Sequence, residues 1–160
     1  MPERGISRRV RMFGGWGLLL LWLFVPFYFL YGRTALLDAE VRELCAKDGG
    51  VKVYETVKLP PGKFDKYGVV KIPSKQSAKP GDEYYYEWKV HSYVEDDPSV
   101  RRDHFLVFRQ SDSKILGEAV SYARRGGDMP GPWHPSSFRC PEDAGNSILQ
   151  QRIFIQEKGE

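Results

Sequence analysis

Residues 13–32 read FGGWGLLLLWLFVPFYFLYG, twenty residues without one Asp, Glu, Lys, Arg or His. As an α-helix such a stretch is about 30 Å long, the thickness of a bilayer's hydrocarbon core. Eleven of its residues are Leu, Val or Phe, each favouring insertion by about 0.3–0.6 kcal/mol near a helix centre, so the gain is about 3–7 kcal/mol with no charge to oppose it. A single transmembrane helix over 13–32 is therefore expected. Pro26 is tolerated in a membrane helix better than in a water-exposed one. Trp16 at one end and Tyr28 and Tyr31 at the other suit the two headgroup interfaces, while Trp22 adds apolar area mid-span.

A cleaved secretory signal is the competing reading, since it too has a basic start and an apolar stretch. Its apolar region is usually about 7–15 residues and ends in a small-x-small site. Cleavage after Ala35 would put Arg33 at the −3 position, and Cys45 lies too far past the apolar run to be a lipoprotein cysteine. The retained signal-anchor is the reading carried forward. Charge then sets the orientation. The chain's net +3 sits wholly in residues 1–12, where Arg4, Arg8, Arg9 and Arg11 outweigh Glu3, and residues 33–160 are neutral overall. Positive-inside places 1–12 in the cytoplasm as a short tail and 33–160 outside as a domain long enough to bury its own core. A neutral outer domain gives no electrostatic ground for nucleic-acid binding.

Within 33–160, Thr34 to Lys47 carries apolar residues at Leu37, Val41, Leu44 and Cys45, one helical stripe, ended by Gly49-Gly50. Val51–Leu59 alternates as one strand closed by Pro60-Pro61-Gly62, Val69–Ile72 reads as a short strand, and Glu83–Glu95 is the longest strand candidate. His104–Gln110 and Ile115–Arg125 flank Ser111-Asp112-Ser113-Lys114 as a hairpin, with Gly117 at a bulge, and Ile148–Gln156 reads as a final strand. The expected fold is α+β: the transmembrane helix, then a short helix packed on an antiparallel β-meander.

Both cysteines fall on the external side, where disulfides persist. A Cys45–Cys140 bond closes a loop of about 95 residues and constrains the unfolded chain by up to about 4.7 kcal/mol in the entropy model; two separately buried thiols are the alternative. No C-x-x-C redox motif is present. A turn over 96–103 would place His91 opposite Phe108 and His104 opposite Glu95, about 13 Å apart along the strands, too far to share an ion bound at about 2 Å from each nitrogen. No metal site and no cofactor is expected, and Asp96, Asp97 and Asp103 read as a solvated loop.

Arg124–Glu142 (RRGGDMPGPWHPSSFRCPE) reads as an irregular connection, long enough to point to function. Its contact-surface candidates are Arg124, Arg125, Asp128, Trp133 and His134, an aromatic-plus-arginine set that suits a carbohydrate or peptide. A hydrolase would recruit Ser136 or Ser137 with His134 and Asp128, but there is no G-x-S-x-G elbow, Walker loop or G-x-G-x-x-G.

The segments Leu44–Gly50 (LCAKDGG), Val53–Val57 (VYETV) and Gly126–Pro141 (GGDMPGPWHPSSFRCP) resemble a set of short, uncharacterised bacterial proteins with no established activity. The resemblance implies a bacterial inner membrane and periplasm and transfers no catalytic residue. The expectation is a single-pass inner-membrane protein whose periplasmic domain is a binding or structural module of the cell envelope with an envelope protein as partner. The alternatives are a small periplasmic hydrolase and a membrane-anchored immunity or exclusion factor.

Overall fold

The computed structural model describes residues 16–26, 28, 32–127 and 137–157. Helix α1 covers 16–26, and its apolar side chains are exposed all round, from Val25 at 43% to Trp22 at 76%. Among the described residues no helix is long and apolar enough to cross a membrane; of the twenty-residue stretch, 13–15, 27 and 29–31 lie outside them. Helix α2 (Arg33–Asp48) follows. Its stripe faces the protein as the periodicity requires: Val41 and Cys45 are buried, and Leu37 and Leu44 are half-buried beside them. The helix stops at Gly49, whose N–H caps the Cys45 carbonyl at 2.8 Å.

The strands are β1 (Gly50–Val53), β2 (Val57–Leu59), β3 (Tyr84–Val94), β4 (Ser99–Arg109), β5 (Ile115–Arg125), β6 (Ser137–Cys140) and β7 (Phe154–Gln156), with helix α3 (Asn146–Ile153) before the last. Together with α2 and α3 they make an α+β fold. β3, β4 and β5 form an antiparallel meander, and the far edge of β5 is shared between β1 and β6. Alternation along the strands separates two faces. α2 covers one face over Val100, Val120 and Tyr122, and on the other Leu149 and Ile153 of α3 and Phe154 of β7 pack with Val107, Leu116 and Ala119. Each fully buried Val, Leu or Ile there stabilises the fold by about 1.5–3 kcal/mol.

Several strand expectations are corrected. Ile148–Gln156 is not one strand: Leu149 and Ile153, four residues apart and both fully buried, form a helical stripe that seats on Gly117, and only Phe154–Gln156 is extended. A Cβ at Gly117 would lie 2.8 Å from the Lys52 carbonyl and 3.0 Å from Ile153 Cδ1, so glycine is what lets α3 and β1 close on the sheet. Val51–Leu59 breaks into β1 and β2, because the N–H groups of Tyr54 and Glu55 both turn to the Leu116 carbonyl. Val69–Ile72 is reduced to a single bridge, Phe64 with Val70. The β-structure is not all antiparallel, since β2 and β7 pair in parallel. The turn between β3 and β4 is shorter than expected: β4 begins at Ser99, so His91 faces Arg102 and Lys89 faces His104. The β4–β5 hairpin is as expected, with a register irregularity opposite Gly117.

α2 is tied to the sheet by more than packing. Cys45 and Cys140 are joined in a disulfide, Cα–Cα 5.9 Å, linking α2 to β6. Asp38 pairs with Arg124 of β5. At the other end Asp48 accepts hydrogen bonds from Tyr122 Oη at 2.5 Å and Arg102 Nη2 at 2.8 Å. Burial pushes the Asp48 carboxyl up, but the bonds from Tyr122 and Arg102 and the charges of Arg102 and Lys52 outweigh it and hold it below its ordinary 3.8. A carboxyl held low in the folded state stabilises it above the unfolded pKa, and that stability is lost as pH falls through the folded value. Urea unfolding midpoints should therefore drop as pH is lowered from about 5 to about 3, and Asp48→Asn should flatten part of that drop; an equal drop in both proteins would contradict the role given to Asp48.

Candidate functional site

Residues 101–105 of β4 carry the least ordinary chemistry of the sheet. On the α3 face, Arg101, Asp103 and Phe105 lie opposite Ala123, Ser121 and Ala119 of β5, and Arg139 of β6 lies on the other side of Ala123. Ala123, too small to fill the row, lets both arginines reach Asp103: Arg101 Nη2 is 3.2 Å and Arg139 Nη2 3.6 Å from Oδ2. Asp103 is 1% exposed, so its charge is compensated by these two cations rather than by water. Its Oδ1 accepts the Trp88 indole N–H at 3.2 Å.

Trp88 is the outward part of this cluster. It comes from β3, lies parallel to Phe105 with ring centroids 5.7 Å apart, and is still 51% exposed. A large aromatic ring left half in water gains little from burial; here the hydrogen bond and the stack fix its plane. Val90, two residues on along the same face, is 48% exposed. Among the described residues, the buried Arg101 Nε, Asp103 Oδ2 and Ser121 Oγ make no hydrogen bond of good geometry. Arg101 lies two residues from Asp103 along β4 and Ser121 lies opposite it on β5, so the polar atoms without a hydrogen bond in the sheet gather around this carboxylate.

The opposite face carries a second polar group. Glu118 accepts Tyr54 Oη at 2.6 Å and sits 2.8 Å from His104 Nε2. The Tyr54 hydrogen bond holds the Glu118 carboxyl below its ordinary range despite partial burial, and His104 and Lys52 add to this. The glutamate thus bridges the Tyr54 hydroxyl and the His104 imidazole and orients the ring. No group of three or more His, Cys, Asp or Glu among them could hold a metal ion.

The expected contact residues are only partly brought together. Arg124 is 3% exposed, with its guanidinium on Asp38 and the Gly126 carbonyl, so it is a structural residue and not an open contact. Arg125 is exposed at the end of β5, opposite Ser137. Asp128, Trp133 and His134 lie outside the described residues, as does Ser136. The irregular connection is shorter than Arg124–Glu142, because β5 runs to Arg125 and β6 takes Ser137–Cys140. Asp103 is not in a solvated loop but in a strand. Its signal was legible in principle: extending β4 to Ser99 puts Asp103 in phase with Phe105 and Val107, a charge on a core-facing row.

Compared with family models, curated proteins and solved structures, the chain matches none.

Removing the carboxylate should release the cluster. Asp103→Ala is expected to cost about 1.5–3 kcal/mol of folding stability and to free Trp88, read as a lower urea midpoint with lower indole fluorescence anisotropy. An unchanged anisotropy would contradict the locking of Trp88 by Asp103.

Proposed function

We propose that this is a single-pass inner-membrane protein of bacteria, its tail 1–12 in the cytoplasm, residues 13–32 as the anchor and 33–160 in the periplasm as a binding module. Trp88 carries the binding part of the reading: a half-exposed ring held in one plane by Asp103 and Phe105, with Arg101 and Arg139 beside it. Such a surface offers an apolar contact at low entropic cost with cations at its rim, the pattern of an interaction anchor. The anchor rests on the uncharged stretch and the flanking arginines, and the all-round exposure of α1 side chains agrees with a helix meant for lipid. The bond between Cys45 and Cys140 supports an oxidising compartment for the domain. The partner fits an envelope protein.

A photo-cross-linking amino acid at position 88, in the full chain in its native membrane, should give a discrete adduct that the same amino acid at Lys66, in the turn between Phe64 and Val70, does not. Identical adduct patterns from both positions would contradict a Trp88-centred site. Hydrolysis of an ester or peptide library abolished by Ser136→Ala would replace the binding reading with an enzymatic one.

A further inference from the structure

β3 is an edge strand, and its free side is defined by its own hydrogen bonds. Tyr86 gives its N–H to the Pro73 carbonyl at 3.0 Å and takes the Lys75 N–H at 2.8 Å, so the Tyr86 backbone faces away from β4. In an antiparallel pair alternate residues face the same side; Trp88, Val90 and Ser92 therefore also turn their N–H and C=O groups outward. Among the described residues no backbone bond reaches them from that side. The segment pairing with Tyr86 ends at Lys75, and beyond it opens a cavity of about 300 Å³ lined by Ser74, Lys75, Gln76, Tyr86, Glu87 and Trp88. We infer that this edge, from Trp88 to Ser92, receives an extended peptide segment of a partner protein, with apolar side chains alternating with acidic ones.

The chemistry of the edge selects that occupant. On the α3 face the added strand meets Trp88 and Val90, both about half exposed, and needs apolar side chains at every second position. On the α2 face it meets Lys75 and Lys89, each 59% exposed, which share the single carboxylate of Glu87 at 3.4 and 3.7 Å. Two ammonium groups on one carboxylate leave a positive surplus for acidic residues between the apolar ones. Past Ser92 the register shifts, and Glu95, Asp96 and Asp97 repel an acidic strand, which confines pairing to the span named. A second copy of this chain fits worse. Antiparallel registers that engage the outward amides of both Trp88 and Val90 set Lys89 against Lys89 or His91 of the other copy, and the register matching Glu87 with Lys89 pairs Val90 with Tyr86, already held by Pro73 and Lys75.

This deepens the binding-module reading and rests on it. The test uses the full chain in lipid nanodiscs and a capped peptide of alternating glutamate and valine, with amide hydrogen exchange as readout. Without peptide the Trp88 and Val90 amides should exchange fast and the inward Lys89 and His91 amides slowly. At a peptide concentration ten times its Kd the two outward amides should slow roughly tenfold; a lysine–valine peptide should leave them unchanged, and Lys89→Glu should weaken the acidic peptide. Outward amides slow from the start, indifferent to the acidic peptide, or equally slowed by both peptides would overturn the inference. If those amides stay indifferent while the cross-linker at position 88 still gives its adduct, the module stands and the strand mode falls; loss of both removes the module as well.

Discussion

The attachment of α2 to the sheet is the constraint on which the rest depends. A helix of sixteen residues leaving an apolar segment would, by itself, be a swinging stalk. Here one side of it is fixed along its length: Asp38 to Arg124, Val41 into the cluster of Val100 and Val120, Cys45 to Cys140, and Asp48 to Tyr122 and Arg102. The contacts differ in kind. The Asp48 bonds depend on pH, the Val41 packing does not, and the disulfide closes a 95-residue separation covalently and so constrains the unfolded chain as well. Arg42 over the Phe138 ring, 4.6 Å from its centroid, adds a contact to the strand that carries Cys140.

That attachment couples the sheet's geometry to α2. β6 has only four residues and holds to β5 on one side; the disulfide holds it to α2 as well. β6 in turn supplies Arg139, the more exposed of the two arginines that compensate Asp103, and Asp103 holds Trp88. A path of bonded or touching groups thus runs from α2, through Cys140 and Arg139, to the ring and edge strand proposed as the contact. With residues 13–32 anchored as proposed, a domain so tied would present the edge of β3 at a fixed attitude to the membrane.

The parts readable from residues alone were those with one strong local signal. The stripe Leu37–Val41–Leu44–Cys45, the aromatic run of β3 and the polar turn between β4 and β5 each had a period or a turn that no other structure satisfies. Ile148–Gln156 failed because Ile148, Ile153 and Ile155 look strand-like, while the deciding fact, a smooth seat at Gly117 for Leu149 and Ile153, is a tertiary contact. The register of β3 on β4 failed for one local reason: counting Ser99–Asp103 as turn moved every cross-strand partner and sent Asp103 to the solvent. The site went with it, since Asp103, Ser121 and Arg139 meet only through the correct pairing of three strands. Arg124 was misplaced for the opposite reason, because a charge beside two glycines looks exposed until a partner such as Asp38 is seen across the fold.

The Cys45–Cys140 bond that staples α2 to β6, and with it the external location proposed for the domain, is tested most directly by trapping thiols in living cells. Cells are quenched in acid, the protein is unfolded without reductant, and a mass-adding maleimide is applied. Neither cysteine should be modified before reduction and both after it; full modification of both before reduction would contradict the staple and the oxidising compartment together.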